Sequence, residues 1–158
     1  MTERKNDGTT ERPLFYQRPA INNENRVCYL DRFQSDWEQT QRKIVNVVGR
    51  IPAFVDSTGV GDPIVENLQR LLPNIKGFRF TSQSKQQIIE GLVMEIQQNS
   101  IAFPESPIGN ELEKIEYEDT RTGVKDAAPS GLHDDCVMSL ALAVDCKKHN
   151  KKGIFAFA

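Results

Sequence analysis

The chain has 158 residues, which suits one domain with its own hydrophobic core. With 38% hydrophobic and 27% charged residues it reads as an ordinary globular protein, not a collagenous, disordered or disulfide-stapled one. A net charge of −2 argues against a dedicated, strongly basic nucleic-acid binder, but leaves room for an enzyme that grips DNA through a local patch.

Cys28, Cys136 and Cys146 are odd in number and far apart, and two of them fall in apolar runs typical of buried free thiols, which fits a reducing cytosol. There is no CxxC pair or Cys/His cluster, so a structural zinc site has little support and any metal is expected on oxygen ligands. The N-terminus is polar, and no stretch approaches the roughly 18 apolar residues of a membrane span. A soluble, intracellular protein with no membrane partner is the expectation.

In chain order, residues 1–25 contain Gly8, Pro13 and Pro19 and read as a poorly specified lead-in, with one irregular strand at most around Leu14-Phe15-Tyr16. Arg26 to Phe33 is rich in β-formers and predicts a strand. Ser35 and Glu38 have the spacing of a capping box, which opens a helix to about Val48. Ile51 to Asp56 is a short apolar strand, and the turn cluster Ser57 to Pro63 leads to a helix from about Pro63 to Leu72, with proline in its favoured first turn. Gly77 to Thr81 is a further short strand. A helix from about Lys85 to Gln98 carries Ile88, Ile89, Leu92, Val93 and Ile96 at helical spacing, with Ser82 or Ser84 as its N-cap.

Ile101 to Pro104 reads as an edge segment, Asn110 to Ile115 as a short helix, and Glu116 to Val124, broken at Thr122-Gly123, as a hairpin. The last helix opens near His133 and runs to about Lys147. It is apolar nearly all round, which predicts a buried helix. Strands interleaved with helices point to a layered α/β or α+β sheet. The division is a lead-in over 1–25, one domain over 26–147 and a tail over 148–158. Lys147, Lys148, Lys151 and Lys152 form a basic stretch, read either as a solvated helix end or as a DNA contact.

Two places concentrate chemistry. Asp56 stands where an apolar strand meets a glycine-rich loop, the sheet edge where α/β folds gather catalytic groups; a turn-capping Asp is the structural alternative. His133-Asp134-Asp135 stands directly before the most apolar helix. One aspartate there is explained as a cap. Two adjacent carboxylates plus a histidine exceed what a cap requires, and like charges held together call for a cation such as Mg²⁺ or Mn²⁺. The loop Ser57-Thr58-Gly59-Val60-Gly61-Asp62 lacks the Gly-Lys-Ser/Thr ending of a P-loop, so an independent ATPase is not expected. Neither is a serine or cysteine triad, with two histidines and no Gly-x-Ser-x-Gly elbow. Lys85, at a helix start, either meets a DNA phosphate or is simply exposed. Trp37 is expected in the core.

Three segments in this order carry a resemblance: Val55-Asp56-Ser57-Thr58-Gly59-Val60-Gly61-Asp62-Pro63, then Phe80-Thr81-Ser82-Gln83-Ser84-Lys85-Gln86-Gln87, then Gly131-Leu132-His133-Asp134-Asp135-Cys136-Val137-Met138-Ser139-Leu140-Ala141-Leu142. Together they resemble the C-terminal nuclease domain of phage terminase large subunits, over about Arg26 to Cys146. The resemblance implies a ribonuclease H-like mixed sheet flanked by helices and an endonuclease that cuts concatemeric DNA during genome packaging. It implies two Mg²⁺ or Mn²⁺ ions held by Asp56, Asp134 and Asp135, with Asp135 the favoured direct ligand, His133 in support and Lys85 on DNA. The implied partners are double-stranded DNA, the terminase ATPase domain, the small terminase subunit and the portal, in the bacterial host cytoplasm.

The chain departs from that pattern in two ways. The family's first catalytic aspartate, expected on an apolar strand ahead of Arg26 to Phe33, is not evident; Asp7, Glu11 and Asp31 are the candidates to replace it. The ATPase motor that normally precedes the nuclease in that family is not within this sequence, which is therefore expected to be either an excised domain or a remnant. Two other functions therefore stand beside a nuclease: a catalytically incomplete remnant that docks to DNA or the motor, and a Holliday-junction resolvase-like nuclease.

Overall fold

A computed structural model describes residues 15–59, 61–114, 135–150 and 154–157. Its strands are β1 (Phe15–Ile21), β2 (Val27–Gln34), β3 (Ala53–Asp56), β4 (Ile75–Phe78) and β5 (Ile154–Phe157), and its long helices are α1 (Trp37–Val48), α2 (Gly61–Leu71), α3 (Ser82–Gln97) and α4 (Asp135–His149). The strands form one mixed sheet in the order β2-β1-β5-β3-β4. β2, β1 and β5 pair antiparallel, whereas β5, β3 and β4 run parallel.

Helices cover both faces. The period-2 alternation of β3 shows how: Phe54 joins a core with Ile88 and Leu92 of α3 and most of α4, while Ala53 and Val55 join a second core with Ile44 and Val48 of α1 and Val65 and Leu68 of α2. This is a layered α/β architecture with a mixed sheet flanked by helices, compatible with the ribonuclease H-like arrangement. Cys136 through Val144 are all buried, as is Cys146, so α4 is enclosed on every side, as its lack of a polar face predicts. Removing one of its large side chains, Leu140 or Leu142, both fully buried, costs about 2 to 5 kcal/mol. Among the described residues no helix is long and apolar enough to cross a membrane.

The elements deviate from expectation in specific places. The lead-in contains a seven-residue strand, β1, paired with β2 along its whole length. Pro19 and the polar Gln17 and Arg18 hide it from a pattern search. Asp36, not Ser35, caps α1: its Oδ1 accepts the Gln39 N–H at 2.8 Å, while the Ser35 hydroxyl pairs with Thr40 Oγ1 at 2.7 Å. β4 begins two residues earlier than expected because the buried Ile75 pairs opposite Ala53. It ends at Phe78, since Thr81 leaves the ladder to cap α3 in a reciprocal capping box with Ser84. Ala102 forms a parallel bridge to Arg26, residues 110–114 are helical, and the expected hairpin over 116–124 lies outside the described residues.

The C-terminal segment departs furthest from a tail. β5 lies in the middle of the sheet, with Ala53, Phe54 and Val55 facing Phe155, Ala156 and Phe157 on one side and Ala20 and Ile21 facing Phe155 and Ile154 on the other. Lys147 is not a freely solvated helix end either. Its ammonium donates to the Asn22 carbonyl at 2.6 Å and to Asn25 Oδ1, and loss of solvent lowers its pKa. Lys148 pairs with Glu95 at 3.5 Å, an exposed contact of little energetic weight. Lys151 and Lys152 lie outside the described residues.

Candidate functional site

Asp56 is the last residue of β3 and is half-buried. Its Oδ1 accepts the Thr58 N–H at 2.8 Å, the Asx-turn that the structural alternative predicts, and among the described residues Oδ2 has no partner. The turn is tied to the neighbouring strand: Thr58 Oγ1 accepts the Phe80 N–H at 3.0 Å, and the Ser57 N–H donates to the Phe78 carbonyl at 2.9 Å. Ser57 is buried against Gly77, where an added Cβ would meet its Cβ and Oγ at 3.1 Å. The carboxylate thus stands on a loop braced from two sides.

Topology brings the start of α4 to the same end of the sheet. α4 leads into β5 through a short connection, and β5 runs parallel to β3, so α4 runs antiparallel to both. The contact of the His149 ring with Phe54, centroids 6.2 Å apart, anchors the far end of the helix. Asp135, in the first turn, therefore lies toward the carboxyl ends of the parallel strands, the side on which β3 ends in Asp56. His133 and Asp134 lie outside the described residues. Lys85, exposed in the first turn of α3, emerges at that end too, because α3 follows β4 and β4 is parallel to β3.

Glu111, which the sequence did not single out, enters the same neighbourhood. Although only 8% exposed, it presents Oε2 to the N–H groups of Cys136 at 2.9 Å and Val137 at 3.1 Å, supplying the first turn of α4 with a charged acceptor. Cys136 directly follows Asp135, so covalent geometry puts this carboxylate oxygen within roughly 5 Å of the Asp135 Cα. A signal was present: Ile108, Glu111 and Leu112 have helical i, i+3, i+4 spacing, which sets an acid on an apolar stripe.

The other candidates separate. Asp31 lies on β2, three strand spacings or roughly 14 Å from β3, too far to share a centre with Asp56; its carboxylate accepts from the Tyr29 hydroxyl at 3.3 Å. β1, the strand ahead of β2, reads Phe-Tyr-Gln-Arg-Pro-Ala-Ile and carries no acid. Asp7 and Glu11 lie outside the described residues. Among the described residues no group of three or more His, Cys, Asp or Glu side chains is arranged to hold a metal ion. The donors present at this end are carboxylate oxygens, which suit a hard divalent cation. A thiol does not contribute: Cys136 is buried, and burial pushes the Cys146 thiol up to about 12.

Asp56, half-buried at the end of β3, and Asp135, at the start of the buried helix α4, thus lie toward the same end of an α/β sheet. Over 98 residues the chain is 36% identical to the terminase large subunits of Thermus phage G20c and of Thermus virus P23-45. The matched part is 60% of this chain and 20% of each relative, so it spans about a fifth of their length. No protein-family model and no solved structure matches the chain. The similarity supports a relation to terminase large subunits.

Proposed function

We propose that this chain is the divalent-metal-dependent nuclease domain of a terminase large subunit, hydrolysing phosphodiester bonds in double-stranded, concatemeric phage DNA during genome packaging. The observation that carries the reading is Asp56, held at the end of β3 with one oxygen unpartnered among the described residues, on the side of the sheet toward which α4 brings Asp135. Asp56, Asp135 and the adjoining Asp134 are the residues that would hold Mg²⁺ or Mn²⁺, in a pair of ions. When bound, such ions supply charge stabilisation and water activation for phosphodiester hydrolysis. The chain's own part is to aim these carboxylates, with His133 orienting one of them and Lys85 meeting a DNA phosphate. On this reading the partners are the terminase ATPase domain, the small terminase subunit and the portal, in the cytoplasm of a bacterial host.

A second reading is favoured by the absence of any acid in β1: a ribonuclease H-like module that docks to DNA or to the motor without cutting. Calorimetry with Mn²⁺ separates the two. The nuclease reading expects saturable binding that Asp56→Asn weakens at least about tenfold. Equal heats for the two proteins would leave the docking role. A preference for four-way junctions over linear duplex would move the substrate to recombination intermediates.

A further inference from the structure

We infer that Glu111 is a positioning residue for the carboxylate site, acting through the backbone of α4 on Asp135; this rests on the nuclease reading above. The first N–H groups of a helix have no intrahelical acceptor, and α4 is buried on every side, so water is not a ready substitute. An ordinary cap comes from the residue just before the helix. Here two of these N–H groups donate to one oxygen of a side chain 25 and 26 residues away. The contact joins residues 110–114 to the helix start, with Ile108 fully buried beside α4 on the same approach.

Three physical consequences follow. A buried carboxylate is costly, and this one is compensated by two charge-assisted hydrogen bonds and the positive end of the α4 dipole. Both bonds are of ordinary N–H···O length and share one acceptor, so they fix the peptides that follow Asp135 in direction as well as in place. The Cα of Asp135 is then restrained by a group outside its own helix, at the end of the sheet where Asp56 lies. A metal site needs its ligands held within about half an ångström, which a freely fraying first turn does not provide. Glu111 thus acts on the site by restricting Asp135, without itself touching the metal or DNA.

Reach and charge make different predictions, and two conservative variants separate them. Glu111→Asp keeps the charge but withdraws the carboxylate by one methylene, out of reach of the Cys136 and Val137 N–H groups. Glu111→Gln loses the charge but keeps an acceptor at the right length. The test is Mn²⁺ titration of the full chain by calorimetry, with the Cys136 and Val137 amide proton shifts followed by NMR in the same samples. Positioning predicts that Glu111→Asp weakens Mn²⁺ binding about tenfold, with both amide protons moving upfield, while Glu111→Gln binds more tightly than Glu111→Asp. Wild-type affinity in Glu111→Asp, or a Gln variant weaker than the Asp variant, would overturn the inference. Saturable Mn²⁺ binding by the wild type that neither variant changes would also overturn it while leaving the nuclease reading intact. No Mn²⁺ binding by the wild type would remove both.

Discussion

Asp56 and Thr58 form a relay between two strand ends: the Asp56 carboxylate accepts the Thr58 N–H at 2.8 Å, and the Thr58 hydroxyl oxygen accepts the Phe80 N–H at 3.0 Å. Because β3 and β4 are parallel neighbours, this relay locks the loops at their carboxyl ends, and it commits one oxygen of Asp56 to structure. Thr58→Val keeps the shape and removes the acceptor. The expected cost is about 0.5 to 1.5 kcal/mol in denaturant unfolding. Mn²⁺-dependent cutting should fall severalfold, with Thr58→Ser restoring it. Full activity in Thr58→Val would show that the relay does not position Asp56.

Gly77 is the second brace. The Cβ of Gly77→Ala would fall 3.1 Å from Ser57 Cβ and Oγ and 3.2 Å from Val65 Cγ1, so it pushes on the residue next to Asp56 and on the α2 core together. Overpacking of this kind costs about 1 to 3 kcal/mol. A lowered melting temperature with weakened Mn²⁺ binding is expected; an unchanged melting temperature would mean that Ser57 yields freely.

The central place of β5 is tested by Ala156→Pro. Ala156 pairs with Phe54, and proline removes an N–H from a strand that has neighbours on both sides. The loss should be at least about 2 kcal/mol, together with a backbone group left unsatisfied on a neighbouring strand. If unfolding were unaffected, residues 154–157 would not be part of the sheet.

The thiols give a pH signature. Burial, reinforced by the neighbouring Asp145 charge, raises the Cys146 pKa from 9.0 to about 12. The unfolded chain releases this proton near pH 9 and the folded chain does not, so the contribution of Cys146 is complete below pH 9 and is lost as pH rises toward 12. Cys146→Ala should flatten that decline. At pH 8 a thiol reagent should modify the exposed Cys28 quickly and reach Cys136 and Cys146 only on unfolding.

Much of this arrangement can be read from residues alone, for local reasons. The unbroken apolar run of α4 signals burial, the i, i+4, i+8 stripe of Ile88, Leu92 and Ile96 signals α3, and a short apolar run closed by a turn cluster signals β3 with Asp56 at its end. What is illegible depends on distant partners. Ile154–Phe157 has four residues and no period, and only pairing with β1 and β3 makes it a strand. Ser35 and Asp36 are both competent caps, and the chain path selects Asp36. Glu111 caps a helix 25 residues downstream, a relation no local pattern encodes. Of the candidate site, Asp56 ends β3 and Asp135 opens α4 toward the same end of the sheet, while His133 and Asp134 lie outside the described residues.

The most direct test of the nuclease reading is conversion of supercoiled plasmid to nicked and linear forms by the full chain in Mn²⁺, with the Asp56→Asn and Asp135→Asn variants alongside. The account predicts cutting by the wild type that a chelator abolishes and that each substitution lowers by at least about a hundredfold, the scale set by losing charge that acts in the transition state. Equal cutting by all three proteins, or none by the wild type at any Mn²⁺ concentration, would contradict it.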